Sequence, residues 1–281
     1  MGSSHSSPTT SPTFRDSQVI TGVGPPPRGG SSSVSRPELS RTGVIRNSVN
    51  VRRSSVGLSS DGKTVSFRFD SAVENKFRIY FKCNEYLNEK KFPILASDLD
   101  VVETDKFPAG LDQRFSVALP DGLLEGRTED MNESGRQKIF PLIVETVPSG
   151  EKGETASQLT YIDIKNNRAI AVKQKLRYGD RGYELHEIFG IEKNEDKSPA
   201  SASYDDVNGT DCVICLTNAR DTTIIPCLHL CLCSQCAQVL SLNTRKCPVC
   251  RTPATGLLQI DRDLPPPSPV SASRAAKLSQ S

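Results

Sequence analysis

The sequence predicts a mainly β protein, with a β-sandwich-like domain over 44–192 and a small metal-held module over 211–260. Three observations carry this. Short runs of alternating apolar residues recur from about Val44 onward, eight of the nine cysteines crowd between Cys212 and Cys250, and the two ends are dense in Ser, Pro and Gly. A chain of 281 residues has room for one or two folded domains plus tails.

Residues 1–43, including GPPPRGGSSSVSRPELS, have almost no apolar periodicity and read as a disordered arm. Through Ser60 there are seven arginines against one Asp and one Glu, a basic bias hidden by the whole-chain net charge of +2. MGSSHS fits Met-Gly-x-x-x-Ser, which makes Gly2 a candidate myristoyl acceptor once Met1 is removed. Two bland readings compete with it: a chance Ser-rich start and a remnant of an expression tag. One acyl chain holds a membrane only marginally, and the arginines through Arg52 and Arg53 would add attraction to anionic lipid. Arg52-Arg53-Ser54-Ser55 also resembles a basophilic kinase site, where phosphate would cut that charge. An unmodified segment is the favoured reading there.

From Val44 the period-2 pattern of half-buried strands takes over. TVSFRFD alternates through Val65, Phe67 and Phe69, KFRIYFKC through Phe77, Ile79 and Phe81, and RFSVALP through Phe115, Val117 and Leu119. QKIFPLIVETV, QLTYIDIK and RAIAVKQKLRYG predict further strands. Asp61-Gly62, Pro120-Asp121-Gly122 and Pro148-Ser149-Gly150 supply turns. Cys83 lies in an alternating run and is expected to be a core residue. Glu184 and Glu187 beside His186 read as surface polar residues in preference to a metal site. Residues 193–210 are polar and poor in apolar side chains, so they are expected to be a linker; GLLQI predicts one more strand, and 261–281 form a Pro/Ser tail.

The cysteine cluster reads Cys212-x2-Cys215, eleven residues, Cys227-x-His229, Cys233-x2-Cys236, ten residues, Cys247-x2-Cys250. A Cys-x-x-Cys turn aims two thiolates at one ion, and a structural zinc site uses four such ligands in a tetrahedron. Eight ligands make two closed sites, so two structural zinc ions are expected, with no position left open for water chemistry. Cys231 is the ninth donor. Choosing it over Cys233 breaks the two-residue spacing to Cys236, so Cys233 is the favoured ligand and Cys231 a small apolar filler. A segment of this size cannot stabilise itself by core burial alone, and metal binding supplies the difference.

At these residues the sequence resembles the RING finger family in its C3HC4 ligand order. The resemblance implies cross-braced ligation: Cys212, Cys215, Cys233 and Cys236 on one zinc, Cys227, His229, Cys247 and Cys250 on the other. It also implies E3 ubiquitin ligase activity, in which a ubiquitin-loaded E2 enzyme docks beside a substrate and the substrate lysine attacks the E2 thioester. Ile214, Leu240 and Pro248 match the family's apolar E2 contacts, and Arg251 matches the residue that hydrogen-bonds both E2 and ubiquitin. No cysteine of this chain acts as nucleophile in that mechanism.

YELHEIFGIE, the linker and CVICL…DTTIIPCLHLCLCSQCA…CPVCR…LLQI are together similar to the mahogunin-type RING ligases, closely from Tyr183 to Ile260 and more loosely before. That family includes plant members with an N-terminal glycine, and its β domain is associated with substrate or adaptor recognition. The implied partners are an E2, ubiquitin and a protein substrate, with a membrane surface reached through Gly2 and the arginine-rich arm. The expected location is the cytoplasm, peripheral at membranes if Gly2 is acylated. The competing reading is a non-catalytic RING scaffold or heterodimer partner. Nucleic-acid binding is disfavoured, because the module has few basic residues and no Arg- or Lys-rich helix.

Overall fold

The computed structural model describes residues 36–124, 138–149, 155–186, 188–190, 210–261 and 263–264. Gly2 and the arm to residue 35, Glu187, the linker through 209 and the tail from 265 lie outside them. In chain order the strands are β1 (Glu38–Thr42), β2 (Val49–Val51), β3 (Gly57–Leu58), β4 (Thr64–Ser71), β5 (Asn75–Leu87), β6 (Pro93–Ser97), β7 (Val102–Glu103) and β8 (Gly110–Ala118). They continue with β9 (Ile139–Pro148), β10 (Ser157–Lys165), β11 (Arg168–Tyr178), β12 (Arg181–Leu185), β13 (Thr222–Ile225), β14 (His229–Leu232) and β15 (Gly256–Ile260), with helix α1 at Ser234–Leu242. Of the described residues, 47–182 form one compact unit and 36–46 with 183–264 form another. Among them no helix is long and apolar enough to cross a membrane.

The first unit is built from two antiparallel sheets. One runs β11-β10-β9-β5-β6, with β7 added to β5; in the other β4 is central, flanked by β2 and β3 on one edge and β8 on the other. Alternation explains the packing. Val65, Phe67 and Phe69 of β4 and Phe77, Ile79 and Phe81 of β5 are all buried in one shared core with Leu142, Val144 and Ile162. Five phenylalanine rings, 67, 69, 77, 107 and 115, meet there, with neighbouring centroids 4.9–6.5 Å apart and mostly edge-on, the arrangement the ring quadrupoles favour.

Strands β9 and β10 are buried over nearly their whole length because the opposite face of their sheet is covered too. Cys83, Phe140, Ile143, Leu159 and Tyr161 make a second core on that face. Cys83 is fully buried, as expected, and burial pushes its thiol up to about 12, so it stays protonated. Two buried carboxylates, Glu85 on β5 and Glu145 on β9, are each satisfied threefold. Glu85 accepts from Tyr161 Oη at 2.6 Å, Lys175 Nζ at 2.6 Å and Lys173 Nζ at 2.7 Å. Glu145 accepts from Arg177 Nη1 at 2.6 Å, Tyr80 Oη at 2.7 Å and Ser157 Oγ at 2.9 Å.

Burial by itself would raise the Glu85 carboxyl, but the hydrogen bonds from Lys173, Lys175 and Tyr161 outweigh it and hold it below its ordinary value. A carboxylate whose folded pKa is depressed stabilises the fold above its unfolded pKa, and that contribution disappears as pH falls through the folded value. Urea midpoints measured between about pH 7 and pH 3 are therefore expected to fall less steeply for Glu85→Gln than for the wild type, from a lower starting stability. Parallel curves would show that Glu85 carries none of the acid sensitivity.

Two expectations are corrected here. Glu38–Thr42, assigned to the disordered arm, is a strand, and 36–46 belong with the cysteine-rich unit. ELSRT has one apolar side chain and so no alternation to reveal it; its partner is β15, over two hundred residues later. The second concerns Arg52, Arg53 and Ser55. Arg52 makes a two-pronged pair with Asp70 at 2.7 and 2.8 Å and reaches Asp112 at 2.7 Å, while Arg53 donates to the carbonyls of Ala171 and Val172. Ser55 Oγ donates to Arg52 O at 2.7 Å and accepts from Arg68 N at 2.8 Å. Arg53–Ser55 form a 3-10 turn, so these arginines and serines are tied into the β domain instead of continuing a loose arm.

Candidate metal centre

The second unit is organised by turns that all present sulfur. At Cys212–Cys215 the chain closes on itself through Leu216 N donating to Cys212 O at 2.8 Å; at Cys247–Cys250 the same bond forms from Arg251 N to Cys247 O at 2.8 Å. Leu216 (φ 52°) and Arg251 (φ 61°) both take the left-handed conformation that ends such a turn. The β13–β14 hairpin carries Cys227 in its loop and His229 at the first position of β14, with Leu228 N donating to Ile224 O at 2.7 Å. Cys233 is the N-cap residue of α1 and Cys236 lies in its first turn.

These turns bring the donors into two groups. The ligand atoms of Cys212, Cys215, Cys233 and Cys236 lie within 4.8 Å of one another, as do those of Cys227, His229, Cys247 and Cys250. The first and third pairs meet, and the second and fourth, which is the cross-braced arrangement. All nine cysteines are free thiols. Cys215 Sγ and Cys233 Sγ are 3.9 Å apart, too far for a disulfide and close to the edge of roughly 3.8 Å that a tetrahedron with metal–sulfur bonds of about 2.3 Å requires. His229 Nδ1 is buried with no hydrogen-bond partner, as a nitrogen lone pair reserved for a metal would be. Both donor sets fit zinc, which when bound would cross-link the turns and supply no reactive site.

Cys231 belongs to neither group. It is buried in the module's core with Ile224, Leu232, Ala237, Leu240 and Leu257, and burial pushes its thiol up to about 12. Asn218 Nδ2 lies 3.7 Å from Cys233 Sγ, a weak contact to a ligand sulfur that the spacing pattern does not announce.

The four surface residues expected to face a partner are not placed alike. Ile214 is 50% exposed, and Pro248 and Arg251 are exposed, all on the Cys-x-x-Cys turns or just after them. Leu240 is a correction: it is only 4% exposed and belongs to the core. The helical phase is the reason. Ala237, Leu240 and Ser241, at i, i+3 and i+4, form the inward face of α1, and Val239 and Leu242 point outward instead. Reading that period from Ala237 would have found them. Leu216 and Val249 are also exposed on the two turns. His186 ends the described run after β12, and among the described residues the only groups able to hold a metal are the two above.

Residues 208–257 match the model for the C3HC4-type zinc finger (RING finger), and residues 49–178 match the RNF157-like N-terminal domain. Among relatives, the chain is 35% identical over 240 residues to the probable E3 ubiquitin-protein ligase LOG2 of Arabidopsis thaliana, covering 77% of this chain and 61% of that one. It is 34% identical over 237 residues to the probable E3 ubiquitin-protein ligase LUL1 of the same plant, covering 78% and 67%. With the human E3 ubiquitin-protein ligase MGRN1 it shares 31% over 249 residues, covering 77% of this chain and 44% of that protein. The match thus spans about two thirds of the plant relatives' length and under half of the human one. No solved structure matches the chain.

Proposed function

The chain belongs to the family of C3HC4 RING-type E3 ubiquitin-protein ligases that carry an RNF157-like N-terminal domain, and on that premise we propose that it works as an E3 ligase. Its RING docks a ubiquitin-loaded E2, and its β domain, residues 47–182, receives the substrate or an adaptor. The observation that carries this reading is the exposure of Ile214, Pro248 and Arg251 on or just after the two Cys-x-x-Cys turns, which presents apolar side chains and a cation to a partner. Val239 and Leu242 of α1 extend the apolar set in place of Leu240.

The chemistry belongs to the visiting conjugate. A substrate lysine amine attacks the thioester carbonyl, an isopeptide bond forms, the carbon–sulfur bond breaks and the E2 thiolate leaves. This chain lowers the barrier by orientation: apolar contacts fix the E2, and the Arg251 guanidinium donates across to both E2 and ubiquitin, so fewer conformers of the flexible conjugate are sampled. Rigid cross-bracing supports that role, because each turn carrying a contact residue is tied to the module by its own metal ligands.

Purified full-length protein with E1, a panel of E2 enzymes, ubiquitin and ATP is expected to build ubiquitin chains. Ile214→Ala and Arg251→Ala should each cut chain formation by about tenfold or more, the effect of losing an interface anchor, while zinc content stays at two ions per chain. Unchanged chain formation in both variants would reject this E2 surface. Absence of chains from the wild type with every E2 would move the reading to a RING used only for assembly.

A further inference from the structure

The sheet of the cysteine-rich unit has a visitor at its β14 edge. Phe189, in the short described segment 188–190 after β12, forms a parallel bridge with His229. Both of its backbone groups are used: Phe189 N donates to Leu228 O at 3.0 Å, and Leu230 N donates to Phe189 O at 2.8 Å. Those partners are the two residues on either side of the histidine. Paired residues in such a bridge project their side chains to the same face, and accordingly the Phe189 ring lies against the His229 imidazole, centroids 5.5 Å apart and planes tilted by 36°.

Close approach here is written into the next residue. Gly190 has φ +95°, and a Cβ at that position would stand 2.8 Å from Leu230 O. Phe189 itself is 54% exposed, an unusual cost for a large aromatic side chain whose only described ring partner is a candidate metal ligand. The two metal groups also differ in shelter. The first has Cys212 and Cys233 buried and Cys215 and Cys236 half-buried, whereas the second has Cys247 buried, Cys227 and His229 half-buried and Cys250 exposed.

We infer that Phe189 is a positioning residue for the second zinc site. Its backbone clamps the strand on both sides of His229, and its ring covers the imidazole face, holding Nδ1 toward the cysteines and slowing solvent entry at the more exposed site. Partners that orient a metal-bound imidazole commonly change metal affinity by about 10–100-fold. Zinc itself neither moves nor reacts in this role; the segment after the β domain acts on how long the ion is kept. The inference rests on the two-zinc RING reading.

Cobalt(II) tests it, since it takes the same tetrahedral ligands and its visible bands differ between four sulfurs and three sulfurs with one nitrogen. Full-length protein loaded with two cobalt ions would be challenged with excess EDTA and each band followed separately. In Phe189→Ala, which keeps both backbone hydrogen bonds, the three-sulfur, one-nitrogen band is expected to decay about tenfold faster with the four-sulfur band unchanged, and Phe189→Tyr should restore the wild-type rate. Equal decay in wild type and Phe189→Ala, or acceleration of both bands together, would overturn the inference. A wild type with no three-sulfur, one-nitrogen band would overturn the two-site reading and this inference with it.

Discussion

Cys233→Ser is expected to leave the chain with one zinc ion instead of two, to unfold the module around α1 and to reduce ubiquitin-chain formation to background. Cys233 shares a group with Cys212, Cys215 and Cys236, and it stands at the N-cap position of α1 with no side-chain capping bond, so what the substitution removes is the thiolate. A hydroxyl does not replace the thiolate, and structural zinc in small domains contributes on the order of 10–16 kcal/mol of apparent binding free energy, more than such a module has in reserve. Cys231→Ala is the matched control. It removes one sulfur from a close-packed core at a cost of about 1 kcal/mol and should keep both ions and activity. Zinc content by elemental analysis decides between them; loss of one ion from Cys231→Ala with retention in Cys233→Ser would reverse the ligand assignment.

A protein shortened to begin at residue 47 should have a damaged RING, although every zinc ligand remains. Strand β1 pairs in parallel with β15 from Glu38↔Gly256 to Thr42↔Ile260. Leu39 packs against the module's core, Ile45 is 2% exposed, Asp261 N donates to Thr42 O at 2.9 Å and Arg36 Nε reaches Ser241 Oγ on α1 at 3.3 Å. Losing the burial of Leu39 and Ile45 alone costs roughly 2–4 kcal/mol. It also leaves the β15 edge with unpaired backbone groups, which invites pairing with another chain. Relative to a protein beginning at 36, the shortened form is expected to unfold at lower temperature and to self-associate with rising concentration in light-scattering measurements. Leu39→Asp in the full chain should reproduce the loss of stability; identical melting of all three would mean that β1 is incidental to the RING.

Legibility followed the range of the interactions. Strands β4, β5 and β8 lie where alternation placed them, because one buried face imposes period 2 on neighbouring residues, and β9, β10 and β11 lie where further strands were expected, although β9 and β10 are buried on both faces. Leu240 was misplaced because four residues after a ligand says nothing about helical phase, and the i, i+3, i+4 set containing Ala237 and Ser241 turns it inward. Arg52 and Arg53 looked like free charge because their acceptors, Asp70, Asp112 and the carbonyls of β11, come from distant strands.

By itself the sequence determined the number of metal ions, their chemistry and the family, since ligand identity and two-residue spacing are local properties that tetrahedral coordination demands of any backbone. Tertiary structure alone decided what surrounds those ions: that Glu38–Thr42 complete the RING sheet and that Phe189 lies against His229. Each of those depends on backbone hydrogen bonds or packing between segments far apart in the chain, and such contacts leave no periodic mark on the residues that make them.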